Sequence, residues 1–124
     1  MTSDPVCVSP DRSLREFVDA YVYEYQFDLF PVTRGAALVG AMGLKEAKSV
    51  AREMWERIRV GDVMTPISEE NTIEAAADAM TALSRMHKGK CSRLLVVDEG
   101  RLVGVIALKD LLDLLALKMA LEGR

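Results

Sequence analysis

Between Arg12 and Phe27 the apolar positions are Leu14, Phe17, Val18, Tyr21, Val22 and Tyr25, which is the recurrence of one face of a helix. The spacing predicts an amphipathic helix there. Ser13 and Glu16 stand three apart at its start, where a hydroxyl and a carboxylate can satisfy each other's orphan amide donors. After Asp28, the run Leu29-Phe30-Pro31-Val32, the pair Arg34-Gly35 and the run Ala37 to Met42 read as two strands around a turn. Pro31 suggests an edge or a bulge. From Leu44 to Trp55 the composition is helical, with Ala47, Val50, Ala51 and Met54 on one face.

The second half repeats this order. Gly40 and Gly104 lie 64 positions apart, and at that offset Leu38-Val39-Gly40 matches Leu102-Val103-Gly104, Leu44-Lys45-Glu46 matches Leu108-Lys109-Asp110, and Val32 falls on Val96. Upstream the offset shortens to about 59, pairing Ser9 with Ser68 and Leu14 with Ile73, with Lys88 to Cys91 as a longer loop in the second copy. A second helix is then expected on Ile73, Ala76, Ala77, Met80 and Leu83, with Asn71 and Glu74 in the capping positions. Neither copy can bury a sheet face alone, so the expected fold is α/β: two pseudo-symmetric repeats, each a small sheet packed against helices. The repeats are set at 1–59 and 60–124, with 56–59 as a connecting segment.

The last predicted helix carries Leu108, Leu111, Leu112, Leu115 and Met119 on one stripe and Leu114, Leu117 and Leu121 on another. Leu111, Leu112 and Leu115 are expected to face inward. A helix apolar around so much of its circumference is usually covered on more than one side. Leu114, Leu117 and Leu121 are therefore the candidate contacts of a homodimer, with burial inside the chain as the alternative.

Composition narrows the function classes. The 124 residues are 50% hydrophobic, with 16 Lys and Arg against 19 Asp and Glu for a formal charge of −3, which describes a soluble globular chain able to bury a core without staples. No apolar run approaches the roughly 20 residues of a membrane span. The mild acidity leaves no basic footprint for nucleic acid. Cys7 and Cys91 form neither a disulfide framework nor a zinc-type pair. His87 is the only histidine and no His-Glu-x-x-His occurs, so no zinc protease site and no catalytic constellation is present in this chain. His87 reads as a solvated helix-terminus residue.

Two copies of helix, strand, turn, strand and helix, joined by Val60-Gly61-Asp62-Val63-Met64-Thr65-Pro66, resemble a tandem pair of cystathionine-β-synthase (CBS) domains, a Bateman module. The residues that carry the resemblance are Asp62 to Pro66, Arg93 to Asp98 and Arg101 to Asp110. Tyr21 to Tyr25, Leu29 to Val32, Ala51 to Trp55 and Leu115 to Gly123 further resemble the CBS region of site-2-protease-like intramembrane zinc metalloproteases. Met1 to Val6 looks like the start of the same linker motif as Met64 to Ile67, which points to a fragment of a longer protein.

That resemblance implies a non-catalytic regulatory or dimerisation module in the cytoplasm, attached to the catalytic membrane domain of a parent metalloprotease. It requires no cofactor, and its implied ligand is an adenine nucleotide (AMP, ADP or ATP) in a cleft between the repeats. The family's binding motif is Gly, two hydrophobic residues, Ser or Thr, two variable residues and Asp. The second repeat reads Gly104-Val105-Ile106-Ala107-Leu108-Lys109-Asp110, with Ala107 where the hydroxyl belongs; the first has Gly43 and Glu46 at the corresponding places. Losing one such hydroxyl contact removes about 0.5–1.5 kcal/mol, which weakens binding several-fold.

The implied contacts are Gly104, the backbone near Leu108 for phosphate, Asp110 for the ribose, Lys109 and Arg93 for phosphates, and Thr65 and Ile67 along the adenine. Each has a plainer role beside it. Asp110 can simply stabilise a helix N-terminus, Lys109 and Arg93 can guard a strand edge, and Thr65 can cap a turn. A standalone nucleotide sensor and a ligand-free assembly domain are the two alternative functions.

Overall fold

The computed structural model describes residues 5–25 and 29–123. The chain divides into two compact units, Pro5–Ile67 and a second that runs from Ser68 to the C-terminal end. Each has its own hydrophobic core.

In the first unit, Ser13 opens the helical segment as expected. Its hydroxyl accepts the Glu16 N–H at 3.1 Å, and the Glu16 carboxylate accepts the Ser13 N–H at 3.5 Å. The segment is not one regular helix. It runs as α1 (Leu14–Phe17), a π-helical turn (Val18–Val22) and α2 (Tyr23–Tyr25); residues 26 and 27 of the expected helix lie outside the described residues. Around this wider turn Phe17, Tyr21 and Tyr25 all bring their rings to within 6.5 Å of Phe30.

Phe30 begins β1 (Phe30–Arg34), which pairs antiparallel with β2 (Ala37–Met42). The register shifts between Val32 and Thr33, one residue beyond Pro31. Val8 bridges Val32 in parallel, its N–H donating to the Pro31 carbonyl at 2.9 Å.

The stretch from Leu44 to Trp55 is not a continuous helix. It breaks into α3 (Leu44–Lys48) and a 3₁₀ turn (Arg52–Met54). The Ser49 hydroxyl donates to the Glu46 carbonyl at 2.6 Å, and the buried Trp55 indole N–H donates to the carbonyls of Ala47 (3.2 Å) and Val50 (3.1 Å). These bonds satisfy the end of α3 and let the chain turn there. A short α4 (Val60–Val63) starts the linker.

The second unit repeats the hairpin faithfully. β4 (Arg93–Asp98) pairs antiparallel with β5 (Arg101–Ala107); Val96 faces Gly104 as Val32 faces Gly40, and the register shifts at the equivalent step, between Val96 and Val97. Glu99 (φ 51°) and Gly100 (φ 80°) form the two-residue turn, with both central residues at positive φ as a tight hairpin requires.

Upstream the structure corrects the expected helix. Thr72–Glu74 is a strand, β3, parallel to β4, with Ile73 opposite Val96. The helix α5 begins only at Ala79 and ends at Gly89, burying Ala82 and Met86 and leaving Met80 exposed. Its cap is Asp78, whose carboxylate accepts the Thr81 N–H at 2.8 Å. Asn71 instead closes a turn by accepting the Ser68 N–H at 2.9 Å. Ser13 and Asp78 are the two N-caps, and Val8 and Ile73 the two parallel partners, so the upstream repeat holds an offset of 65 rather than 59. The extra length assigned to Lys88–Cys91 disappears.

The chain ends in α6 (Leu108–Glu122). Of its inner stripe Leu111 is buried and Leu115 partly buried, but Leu112 is half exposed, because one residue beyond Leu111 lies 100° further round the helix. No helix among the described residues is long and apolar enough to cross a membrane.

Candidate functional site

Where β5 runs into α6, the second unit gathers most of the candidate residues. Arg93 pairs with Ala107 across the hairpin, and the Leu108 N–H donates to the Ser92 carbonyl at 2.7 Å. Ala107 is the extended N-cap of α6, and the Asp110 carboxylate accepts the Ala107 N–H at 3.1 Å. Asp110 thus does what its position on the first turn of a helix favours. Lys109 is exposed and lies 3.5 Å from Asp113 one turn on. Gly104 is buried in the middle of β5.

Thr65 and Ile67 fall in the first unit. Thr65 exchanges both backbone hydrogen bonds with Ala41 at 2.9 Å, and its hydroxyl donates to Glu46 Oε2 at 2.8 Å. Glu46 is the repeat counterpart of Asp110 and was absent from the expected contacts; that correspondence, visible at the 64-residue offset, was the signal for it. Met64 covers Gly40, where a Cβ would stand 2.5 Å from the Met64 Sδ and 3.2 Å from the Thr65 carbonyl. The first repeat's motif glycine thus leaves room for the linker that crosses over it.

The electrostatics mark caps. Glu16 is held below the usual carboxylate range, first by the Ser13 amide and then by the Arg12 guanidinium. Asp78 is held low by the Thr81 amide above all. Among the described residues no group of His, Cys, Asp or Glu is arranged to hold a metal ion. His87 is exposed near the end of α5.

The leucine stripe is exposed. Leu114, Leu117 and Leu121 keep 52%, 58% and 71% of their surface in water and, with Met80 at 64%, line an open groove of about 530 Å³ between α5 and α6. Asp78 and Lys118 also line it.

Residues 60–117 match the CBS domain family. The chain is 29% identical to the zinc metalloprotease MJ0392 of Methanocaldococcus jannaschii over 115 residues, which are 90% of this chain and 30% of that relative's length. Its fold matches the CBS domain of a bacterial CNNM/CorC family Mg2+ transporter solved in complex with ATP (TM-score 0.74, 21% identity, 91% of this chain and 80% of that one). It also matches the cytosolic domain of the Mg2+ channel MgtE solved in complex with ATP (TM-score 0.73, 25% identity, 92% of this chain and 46% of that one).

Proposed function

From a chain whose residues 60–117 are a CBS domain and whose fold is that of solved CBS pairs, we infer a non-catalytic regulatory module that takes an adenine nucleotide at the β5–α6 junction. The observation that carries this reading is the junction itself. Strand β5 delivers the chain directly into the first turn of a 15-residue helix, whose amide dipoles favour an anion, with Arg93 on the neighbouring strand and Lys109 on the same turn. In this reading Gly104 and Leu108 bring backbone close to the ligand, Lys109 and Arg93 meet phosphate, and Asp110 accepts from ribose hydroxyls. The solved relatives named above hold ATP, which supports the ligand class.

The module is proposed to be a cytoplasmic part of a larger membrane-bound zinc metalloprotease, on the strength of the archaeal relative of which it spans 30%. Regulation then works by linkage: a nucleotide that favours one state of the module shifts the attached domain by its difference in affinity for the two states. A homodimer through Leu114, Leu117 and Leu121 completes the proposal. Ala107, which lacks the hydroxyl of the binding motif, favours the second reading, a ligand-free assembly module. Calorimetry with AMP, ADP, ATP and S-adenosylmethionine separates the two. Saturable heat with any of them supports the sensor, and no heat from all four at millimolar concentration leaves the assembly module.

A further inference from the structure

A groove of about 840 Å³ lies within the second unit, lined by the turn at 68–72 and by α5. The turn contributes Glu69 and Glu70. It is firmly held: the Ser68 N–H donates to Asn71 Oδ1 at 2.9 Å, the Glu70 N–H to the Ser68 hydroxyl at 3.1 Å, and the Thr72 hydroxyl to the Ser68 carbonyl at 2.7 Å. From α5 come Thr81, Ser84, Arg85 and Lys88, three and four positions apart on one face of the helix, while Ala82 and Met86 are buried. The partly buried Arg85 guanidinium donates to the Thr72 carbonyl at 2.7 Å, which ties the helix to the end of the turn and uses one of its five N–H donors.

The charges along this groove do not neutralise one another. Among the described residues Glu69, Glu70 and Lys88 enter no ion pair and no side-chain hydrogen bond, although they line the same space. Asp78, also on the groove, commits its carboxylate to the Thr81 N–H. A ligand of one sign would be attracted by the turn or by the helix and repelled by the other, whereas a ligand that carries both signs is attracted by both. We propose that the groove takes a small zwitterion of the amino-acid or short-peptide class, its carboxylate on Arg85 and Lys88 and its ammonium on Glu69 and Glu70. The Thr81 and Ser84 hydroxyls add donors and acceptors on the helix side, and the volume is that of a small-molecule site. None of these residues belongs to the β5–α6 junction, so the site stands whether or not a nucleotide binds there.

Amide NMR spectra of the full chain test it, with glycine and diglycine as probes and acetate and methylammonium as single-charge controls, all at constant ionic strength. At least one of the two zwitterions should give saturable shifts at tens of millimolar on Glu69, Glu70, Ser84, Arg85 and Lys88, and neither control should match it. Glu70→Gln and Lys88→Gln each remove one charge from an exposed side chain that makes no hydrogen bond or ion pair, so the fold is kept and affinity should fall about two- to fivefold. The two probes hold their charges at different separations, so the tighter one reports the span between turn and helix. No saturable shift at these residues from either zwitterion would overturn the proposal. So would shifts that acetate or methylammonium alone reproduces, or that both variants leave unchanged.

Discussion

Replacing Leu114 and Leu117 together with Glu should convert a dimer into a folded monomer. A fully buried leucine contributes about 1.5–3 kcal/mol relative to an exposed one. Leu114, Leu117 and Leu121 retain between half and three quarters of their exposure, so covering each fully is worth about 1–2 kcal/mol. A two-fold axis presents the set twice, giving about 6–12 kcal/mol for the pair. Association costs consume about 4–15 kcal/mol, so a dimer of modest, concentration-dependent affinity is expected, with Met80 on the groove wall adding to it. Two glutamates per copy would place four carboxylates in the contact, and their desolvation outweighs that gain. The fold should survive because both positions are exposed on a helix and Glu is a good helix former. Sedimentation across the micromolar range, with circular dichroism to confirm folding, makes the comparison. An unmodified chain that stays monomeric at millimolar concentration, or a double variant that still dimerises, would refute the reasoning.

Other consequences are local. Gly40→Ala should destabilise the chain by about 1–3 kcal/mol, since Met64 and the Thr65 carbonyl must both give way; urea unfolding that matches the unmodified chain would contradict the crossing. Trp55→Phe removes the donor that two carbonyls at the end of α3 share, and should cost about 1–3 kcal/mol in the same assay; no change would mean the indole bonds are dispensable. Glu16 and Asp78 have folded pKa values below their unfolded ones, so their stabilisation is present above the ordinary carboxylate range and is lost as pH falls through the lower folded values. Melting temperature should therefore drop across that acid window, and less steeply in Asp78→Asn, which still caps without titrating; identical acid profiles would remove Asp78 from the account.

The parts of the fold that were legible in the sequence are those written as repetition or as a local spacing. The two hairpins fall at the 64-residue offset, even to the shift of register after Val32 and Val96, and each copy places a glycine opposite the same strand position. The Ser13–Glu16 box is a local pattern and was equally plain. Three residues of strand at Thr72–Glu74 carry too little alternation to be recognised, and Ile73 owes its place to a parallel partner distant in sequence. Without that strand the apolar spacing starts the helix early, at Ile73, and points to Asn71 rather than Asp78 as its cap. The end of α3 was hidden because Trp55 closes it from eight positions away. At the candidate site the motif located the β5–α6 junction, but nothing local tells that Thr65 bonds to Glu46, a contact made 19 residues back in the chain.

The central claim is that the β5–α6 junction receives an adenine nucleotide, and an ATP titration followed residue by residue in amide NMR spectra tests it most directly. The account predicts saturable shifts concentrated on Gly104 and Leu108 to Asp110 and on Arg93, weakened several-fold by Asp110→Ala. An absence of shifts at millimolar ATP, or saturable shifts elsewhere that Asp110→Ala leaves untouched, would contradict it.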